Sequence, residues 1–211
     1  MIESHTAAVV ADWVRGWALS RGTPEPVEEP DGFRVDVGLP GHLVRHVLPE
    51  ASAAGPRAAA LTEPGTWLKV CGAPEQVRPL LTPAWTVGAP EYLMSVELGV
   101  RAPVTPPAPY AVELRGTGDV RDAVVLAGGE VAAKGRVAVH GRAAVIDVVE
   151  TDPAHRRRGL GSVVMSELTR AAAARGATRA VLVATEAGLA LYRGLGWTVV
   201  SPVTAAHLPV A

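Results

Sequence analysis

The chain has 211 residues, enough to bury the core of one large domain or two small ones. Apolar residues make up 48% of it and charged residues 19%, which excludes a disordered protein. The formal net charge of −1 argues against proteins that coat nucleic acid or anionic membranes, because those carry a basic excess. Cys71 is the only cysteine, which excludes an intramolecular disulfide and a cysteine-based zinc site.

The N-terminal segment resembles neither a secretory signal nor a membrane span, because Glu3 and Asp12 interrupt its apolar run. A cytoplasmic protein is therefore the default expectation. Residues 99–111 contain four prolines, which predicts an extended segment outside any sheet interior. We take this segment as the boundary between an N-terminal α/β region over residues 1–105 and a second domain over residues 106–211.

The first half predicts a helix followed by several strands. Apolar residues at helical spacing predict an amphipathic helix over residues 6–19, ended by Gly22 and Pro24. Alternation on both sides of a Gly-Leu-Pro-Gly turn predicts a hairpin over residues 33–49. Two further strands (residues 66–72 and 91–98) and a short helix between them (residues 74–81) complete this half. His42 and His46 share one face of the predicted hairpin without a third metal ligand, which favours surface or interface histidines.

The second half is clearer. Four consecutive strand-like runs cover residues 110–114, 122–127, 131–139 and 142–150. A helix from about Arg157 to Arg175 follows, with Gly176 as its terminator. The remaining predicted elements are the buried strand RAVLVAT, a helix with Thr185 as its N-cap and a final strand WTVV. This order predicts an α+β fold with a mixed central sheet flanked by helices, and the sequence shows no internal repeat.

The junction between the fourth strand and the helix carries three arginines, Arg156, Arg157 and Arg158, before Gly159 and Gly161. The first amides of a helix have no intrahelical acceptor and form the positive end of its dipole. Cations there are unfavourable by about 0.3–1 kcal/mol each unless an anion joins them. Glycines allow an anion to approach the amides. The pattern therefore predicts a phosphate site at the helix start.

Other phosphate and nucleic-acid motifs fit this junction less well. A dinucleotide-binding fingerprint needs a third small residue at position 164, where the chain has Val164. A Walker loop needs Lys-Ser/Thr after the glycines, and neither is present. A nucleic-acid patch needs more than three arginines, preferably with interleaved aromatic residues. The nucleic-acid alternative nevertheless stays open to test by salt-dependent retention on DNA or RNA.

Two motifs in the second half resemble the GCN5-related N-acetyltransferase (GNAT) superfamily over about residues 110–201. The family's acetyl-CoA motif, Arg/Gln-x-x-Gly-x-Gly/Ala, matches residues 156–161 at every fixed position, and Pro153 precedes it as is frequent in the family. The family's Asn-x-x-Ala-x-x-Leu-Tyr-x-x-x-Gly-Phe pattern corresponds to Thr185, Gly188, Leu191, Tyr192, Gly196 and Trp197. Threonine, glycine and tryptophan thus replace the asparagine, alanine and phenylalanine of the family.

The resemblance implies an acyl-CoA N-acyltransferase fold for residues 106–211, as the acetyl-CoA-binding catalytic domain. The family usually inserts two helices between its first two strands, where the acceptor often docks, and this chain has no room for them. We therefore expect residues 1–105, interpreted as an α/β region of degenerate GNAT-like architecture, to form the wall of the acceptor site.

The resemblance also implies acetyl-CoA as co-substrate and no metal. The fourth strand's backbone would hold the pantetheine arm, and the arginine-glycine loop would hold the pyrophosphate. The implied cofactor-binding residues are Val149, Thr151, Arg156, Arg157, Arg158, Gly159, Leu160, Gly161, Ser162 and Thr185.

Three groups are the catalytic candidates. The Val149 N–H would stabilise the oxyanion of the tetrahedral intermediate, and Tyr192 would protonate the departing thiolate. Strand alternation places Val145, Asp147, Val149 and Thr151 on one face. In an apolar setting the pKa of Asp147 would rise, which would suit a general base. Water or Glu150 could substitute, although alternation turns Glu150 to the opposite face.

The sequence therefore predicts an acetyl-CoA-dependent N-acetyltransferase whose acceptor is a primary amine, either a small molecule or a peptide N-terminus or lysine. No nucleic acid or membrane partner is expected. The alternative is a catalytically silent acyl-CoA-binding or regulatory module that lost its acceptor site. The acceptor's identity, the acyl length and the oligomeric state stay open, with a homodimer as one alternative.

Overall fold

The computed structural model describes residues 5–99 and 102–210. Glu3 and residues 100–101 of the proline-rich segment lie outside the described residues. The helices within them are α1 (His5–Arg21), α2 (Ala54–Ala60), α3 (Pro74–Val77), α4 (Leu160–Ala174) and α5 (Glu186–Gly194). None of these helices combines the length and apolar character needed to cross a bilayer.

Twelve strands of the described residues form one sheet. In the first half they are β1 (Val27–Glu29), β2 (Gly32–Leu39), β3 (His42–Leu48), β4 (Thr66–Cys71), β5 (Thr86–Val87) and β6 (Glu91–Glu97). In the second half they are β7 (Tyr110–Arg115), β8 (Val120–Ala127), β9 (Glu130–His140), β10 (Ala143–Thr151), β11 (Arg179–Thr185) and β12 (Thr198–His207).

The order of strands across the sheet has an internal symmetry. It runs β1-β2-β3-β4-β12-β6-β11-β10-β9-β8-β7, with β5 paired to β12 off this path. Each half contains an antiparallel hairpin (β2–β3 and β9–β10) followed by a parallel pair (β3 with β4 and β10 with β11). The last long strand of each half, β6 or β12, pairs with strands of the other half. As a result β6 lies between β11 and β12. The two halves therefore share one continuous sheet.

Helix α1 covers one face of this sheet. Its apolar stripe is buried at every position that the helical spacing singled out: Val9, Val10, Trp13, Val14 and Trp17. Burying side chains of this size stabilises the fold by about 1.5–3 kcal/mol each relative to exposing them. The stripe packs with side chains of β2, β10, β11 and β12 in one cluster, so α1 joins the two halves.

Helix α4 covers the opposite face. Its buried residues pack with β7, β8, β9 and β10. Gly135 on β9 permits the close approach, because a Cβ there would lie 2.7 Å from Cγ1 of Val164. On the other face, a Cβ on Gly16 of α1 would overlap the side chain of Val145. The sheet is therefore held tightly between α1 and α4 around β9 and β10.

Most predicted elements are confirmed, including the first helix, the β2–β3 hairpin and the four strands β7–β10. The predicted start of α4 at Arg157 is wrong: the helix begins at Leu160, because Arg157 and Gly159 both have positive φ (59° and 76°). The final strand runs to His207, well past the predicted WTVV. The short elements β1, β5 and α2 were not predicted.

Candidate active site

A gap opens in the middle of the sheet between β10 and β11. These parallel strands pair only over three positions, Ala143–Val145 with Arg179–Val181. Beyond them β10 continues on β9, and β11 continues on β6 as far as Thr185. The corresponding strands of the first half, β3 and β4, stay paired over five positions. Of these two parallel pairs, β10 and β11 therefore stay together over the shorter stretch.

A β-bulge on β10 lies at the gap. Asp147 pairs with Arg136 and Glu150 with Lys134, so Val148 and Val149 together oppose a single residue of β9. Val148 has φ 54°, a left-handed conformation that costs a residue with a Cβ about 1–2 kcal/mol. Its N–H donates to Oδ1 of Asp147 at 2.9 Å. The strand is thus strained where the sheet opens, which is where functional sites often concentrate such strain.

The bulge corrects the expected alternation along β10. Asp147 faces α1, whereas the Val149 side chain faces α4, since it lies 3.2 Å from the Cβ position of Gly135. The prediction that Asp147 and Val149 share a face is therefore wrong. Glu150 lies on the same side as Asp147 and pairs with Lys134 at 3.2 Å, so its predicted opposite orientation is also wrong. One inserted residue reverses every side chain that follows it.

The surroundings of Asp147 also differ from the expected apolar setting. Arg21 of α1 donates from Nε to Oδ2 at 2.5 Å and from Nη2 to Oδ1 at 3.0 Å. The Ser20 hydroxyl donates to Oδ2 at 3.3 Å. With the Val148 amide, four donors surround this half-buried carboxylate. The sequence predicted Asp147 as a base in an apolar pocket, but its carboxylate instead accepts a bidentate ion pair from Arg21.

A cavity of about 390 Å³ passes through the gap. On the α1 face it is lined by Trp13, Trp17 and Arg21, and on the opposite face by Tyr192 and Val149. The strand residues beside the gap complete the middle: Ile146, Asp147, Val148, Glu150, Leu182, Val183, Ala184 and Thr185. Its volume lies in the range of small-molecule sites. The cavity connects the face of α4 and α5 to the face of α1.

Tyr192 of α5 is buried at one end of this cavity. Burial, with a smaller effect of the Asp147 charge, raises the pKa of Tyr192 to about 12. Its hydroxyl has no hydrogen-bond partner among the described residues. The phenol is therefore protonated at neutral pH and available to donate a proton into the cavity.

The arginine-glycine loop adopts two tight turns before α4 begins. Asp152 accepts from the Ala154 amide at 2.8 Å and starts a short 3₁₀ turn. The left-handed Gly159 then forms the N-cap of α4, and its carbonyl accepts from the amides of Ser162 and Val163 at 3.1 and 3.3 Å. The preceding amides of the first turn have no intrahelical acceptor. A Cβ on Gly159 would meet nothing within 4 Å, so the approach to these amides is open.

The three loop arginines are exposed and differ in their contacts. Arg156 donates from Nε to the Thr151 carbonyl at 3.3 Å. Arg158 donates to the Tyr110 hydroxyl at 2.7 Å, and that hydroxyl also contacts Nδ1 of His155 at 2.8 Å. Arg157 has no hydrogen-bond or ion-pair partner within residues 5–99 and 102–210. Arg157 is thus the guanidinium most available to an anion.

The other predicted cofactor residues take different positions. Gly161 is needed for packing, since a Cβ there would lie 2.9 Å from the Leu191 side chain of α5. The Leu160 side chain is buried, so only its amide faces the loop. Thr185 caps α5, accepting from the Gly188 amide at 3.3 Å. Thr151, at the end of β10, is not among the residues lining the cavity.

Several cavity residues come from the first half and were not predicted as functional. Arg45 of β3, Lys69 of β4 and Glu91 of β6 line the α1 face together with Trp17 and Arg21. Lys69 and Glu91 form an ion pair. No motif spacing connects these residues, because they come from four separate elements. The one sequence signal for this group of residues is Lys69, a charged residue within the otherwise apolar strand pattern TWLKVCG.

His46 corrects the prediction of a surface histidine. It is only 4% exposed and its Nδ1 lies 3.2 Å from Glu29 of β1. His42 accepts from Nε of Arg45 at 3.3 Å and its ring lies 5.0 Å from that of Trp67. Burial, with the nearby charges of Arg45, Lys69 and Arg21, lowers the pKa of His42 to about 4. His42 is therefore neutral at pH 7.

Comparisons with known proteins agree with this geometry. A GCN5-related N-acetyltransferase from Kribbella flavida has a similar structure, with TM-score 0.67 and 18% identity over 98% of this chain and 96% of that one. A GNAT-family protein from Novosphingobium aromaticivorans matches with TM-score 0.62 and 20% identity over 95% and 99% of the two chains. No curated protein matches the sequence. These likenesses show the fold: a mixed sheet flanked by helices in the GNAT arrangement.

The sequence itself matches the model of the acetyltransferase (GNAT) family over residues 76–197. This range includes β6, the open gap, the arginine-glycine loop and Tyr192. Since the match covers more than half of the 211 residues, the chain belongs to the GNAT acetyltransferase family.

Proposed function

We propose that this protein is an acetyl-CoA-dependent N-acetyltransferase in which a primary amine attacks the thioester directly. The observation that carries the proposal is the cavity through the β10–β11 gap. It allows an acyl donor to enter from the face of α4 and an amine from the face of α1. Both reactants would then meet beside Val149 without a covalent enzyme intermediate.

The donor side of the gap suits coenzyme A, which supplies an activated acyl thioester when bound. The open amides of Leu160 and Gly161 would bind its pyrophosphate, with Arg156 and Arg157 adding charge-assisted hydrogen bonds. Arg158 would contribute less, because Tyr110 already accepts from it. The backbone of Val149 and Thr151 and the Thr185 hydroxyl would contact the pantetheine arm. Ser162 would contribute to binding coenzyme A from its position in the first turn of α4.

Two groups would stabilise the reaction once the amine has attacked. The Val149 N–H lies in the bulge, and one well-placed donor to an oxyanion lowers an acyl-transfer barrier by about 2.7–4 kcal/mol. Tyr192 would give its proton to the departing thiolate, a role supported by its place at the end of the cavity and by its hydroxyl, which has no partner among the described residues; its pKa of about 12 keeps it protonated before transfer.

The hydrogen bonds of Asp147 favour a different group from the one expected for removal of the amine proton. Both oxygens of Asp147 already accept from donors, so a proton acceptor role would displace Arg21 or Ser20. We propose that Asp147 positions Arg21 and the bulge, and that the proton leaves through water to Glu150. Glu150 faces the same cavity and is more exposed than Asp147. Asp147→Asn should then lower stability as well as activity, whereas Glu150→Gln should lower activity alone.

The test combines coenzyme A binding by calorimetry with acetyl-CoA consumption over a panel of amines and peptides. Arg157→Ala should weaken coenzyme A binding about 10-fold or more, since charged hydrogen bonds contribute about 1.5–3 kcal/mol. Arg175→Ala, at the other end of α4, removes the same charge and should not change it. Binding without turnover of any amine would favour the silent module, and absence of binding would overturn the proposal.

A further inference from the structure

The α1 side of the cavity contains one arginine without a carboxylate partner. Arg21 pairs with Asp147, Lys69 with Glu91, and at the rim Lys134 pairs with Glu150. Among the described residues, these pairs account for every carboxylate that lines the cavity. Arg45 remains, and it forms no ion pair among the described residues.

Trp17 and His42 hold the side chain of Arg45, while the carboxylates of Glu91 and Asp147 act on its charge only from beyond ion-pair distance. Its guanidinium carbon lies 4.0 Å from the ring centroid of Trp17, a cation–π contact. Its Nε donates to Nε2 of His42 at 3.3 Å. Since His42 is neutral at pH 7, it accepts this bond and adds no charge. The two terminal nitrogens have no hydrogen-bond partner within the described residues.

The half-buried guanidinium of Arg45 loses part of its hydration, and no ion pair among the described residues compensates for that loss. Burial lowers the pKa of Arg45 to about 10, so the group stays charged at neutral pH despite its loss of hydration. Removing an ion from water costs several kcal/mol unless an opposite charge and hydrogen bonds compensate. An anion bound in the cavity would supply both.

We propose that the acceptor is a small amine that carries a carboxylate, and that Arg45 binds this carboxylate while the amine points to the gap. The proposal rests on the proposed function and names its substrate class. The two terminal nitrogens of a guanidinium match the two oxygens of a carboxylate. The single unpaired cation, Arg45, balances the one negative charge of a carboxylate. A phosphate monoester would need a second free cation, and Arg21 and Lys69 are already paired with carboxylates. Trp17 fixes the plane of the guanidinium and hence the orientation of the substrate.

The experiment compares amines that differ only in the carboxylate. Acetyl-CoA consumption is measured with the common amino acids, their carboxamides and their decarboxylated amines, and with phosphoethanolamine as the phosphate arm. Binding of the same compounds is measured by calorimetry. Wild type should prefer carboxylates, and Arg45→Gln should lower kcat/KM for them about 100-fold while changing it less than 3-fold for decarboxylated amines. Arg45→Lys should recover part of the loss.

Arg15→Gln is the matched control. Arg15 also lies on a cation–π contact, 5.3 Å from the Phe33 centroid, but it pairs with Glu28 and is not among the residues lining the cavity. It should leave the preference unchanged. Arg45→Gln should fold and bind coenzyme A as wild type does, because it breaks no ion pair among the described residues.

The outcomes separate this inference from the proposed function. Turnover that is equal for carboxylates and decarboxylated amines, or unchanged in Arg45→Gln, overturns the inference and leaves the transferase intact. A preference for phosphoethanolamine overturns the carboxylate assignment. If no amine turns over, Arg45-dependent binding of carboxylates would still support the site, and absence of such binding would overturn it.

Discussion

Replacing Tyr192 by phenylalanine separates a chemical role from a structural one. The Tyr192 hydroxyl has no hydrogen-bond partner in the part of the chain that the structure describes. Its removal therefore breaks no bond within the protein, and the ring that packs near Trp197 is retained. We expect the free energy of unfolding to change by less than about 1 kcal/mol, since unpartnered polar groups contribute little to stability.

The effect on rate should be far larger. General acid catalysis contributes about 10²–10⁴-fold, equivalent to about 2.7–5.5 kcal/mol of barrier. We therefore expect kcat to fall at least 100-fold in Tyr192→Phe, with little change in the KM for acetyl-CoA. Because the pKa of Tyr192 is raised to about 12, wild type should show no alkaline loss of kcat from this group below about pH 11.

The assay is steady-state consumption of acetyl-CoA with the best amine of the panel, together with urea denaturation. Tyr110→Phe is the matched control, because its hydroxyl contacts both His155 and Arg158. That variant should lose stability, by about 1–2 kcal/mol, and keep most of its kcat. A Tyr192→Phe protein with full kcat, or one that loses as much stability as Tyr110→Phe, would refute the assignment of the acid.

Three further predictions concern the loop, the packing and the pH dependence. Arg157→Gly should leave the urea midpoint equal or higher, because relief of about 1–2 kcal/mol of left-handed strain offsets the entropy of glycine, yet calorimetry should show weaker coenzyme A binding. Gly135→Ala should lower stability by about 1–3 kcal/mol through its clash with Val164, whereas Gly194→Ala, in open space, should not; thermal denaturation distinguishes them. The pKa of His42 falls from 6.5 to about 4, so its contribution to stability is present above pH 6.5 and lost toward pH 4. In His42→Gln the urea midpoint should depend less on pH over this range than in wild type. An unchanged pH dependence would contradict the burial of a neutral ring.

The local elements were predictable because their signals lie within short windows. The stripe from Val9 to Trp17 has a helical period, and β7 to β10 have strand patterns with turns between them. The turn that leads into α4 was predictable from Gly159 and Gly161, whereas the binding of an anion by the three arginines stays a prediction. The start of α4 was misplaced by three residues, because the sequence does not reveal that Arg157 adopts a left-handed conformation.

The remaining features depend on contacts between distant segments. The insertion of β6 between β11 and β12 has no local signal, because any apolar strand of that length would fit the pattern. The bulge at Val148 reversed the predicted side of Glu150, and nothing in VVE distinguishes a bulge from a regular strand. Arg21 reaches the cavity because α1 packs across both halves of the sheet, and Arg45 reaches it from β3 because the two halves share one sheet.

A crystal structure with bound coenzyme A tests the central claim most directly. We expect the pyrophosphate on the amides of Leu160 and Gly161 and the sulfur in the β10–β11 gap, close to the Val149 N–H and the Tyr192 hydroxyl. Coenzyme A bound elsewhere, or a gap filled by the protein's own side chains while the ligand is bound, would contradict it.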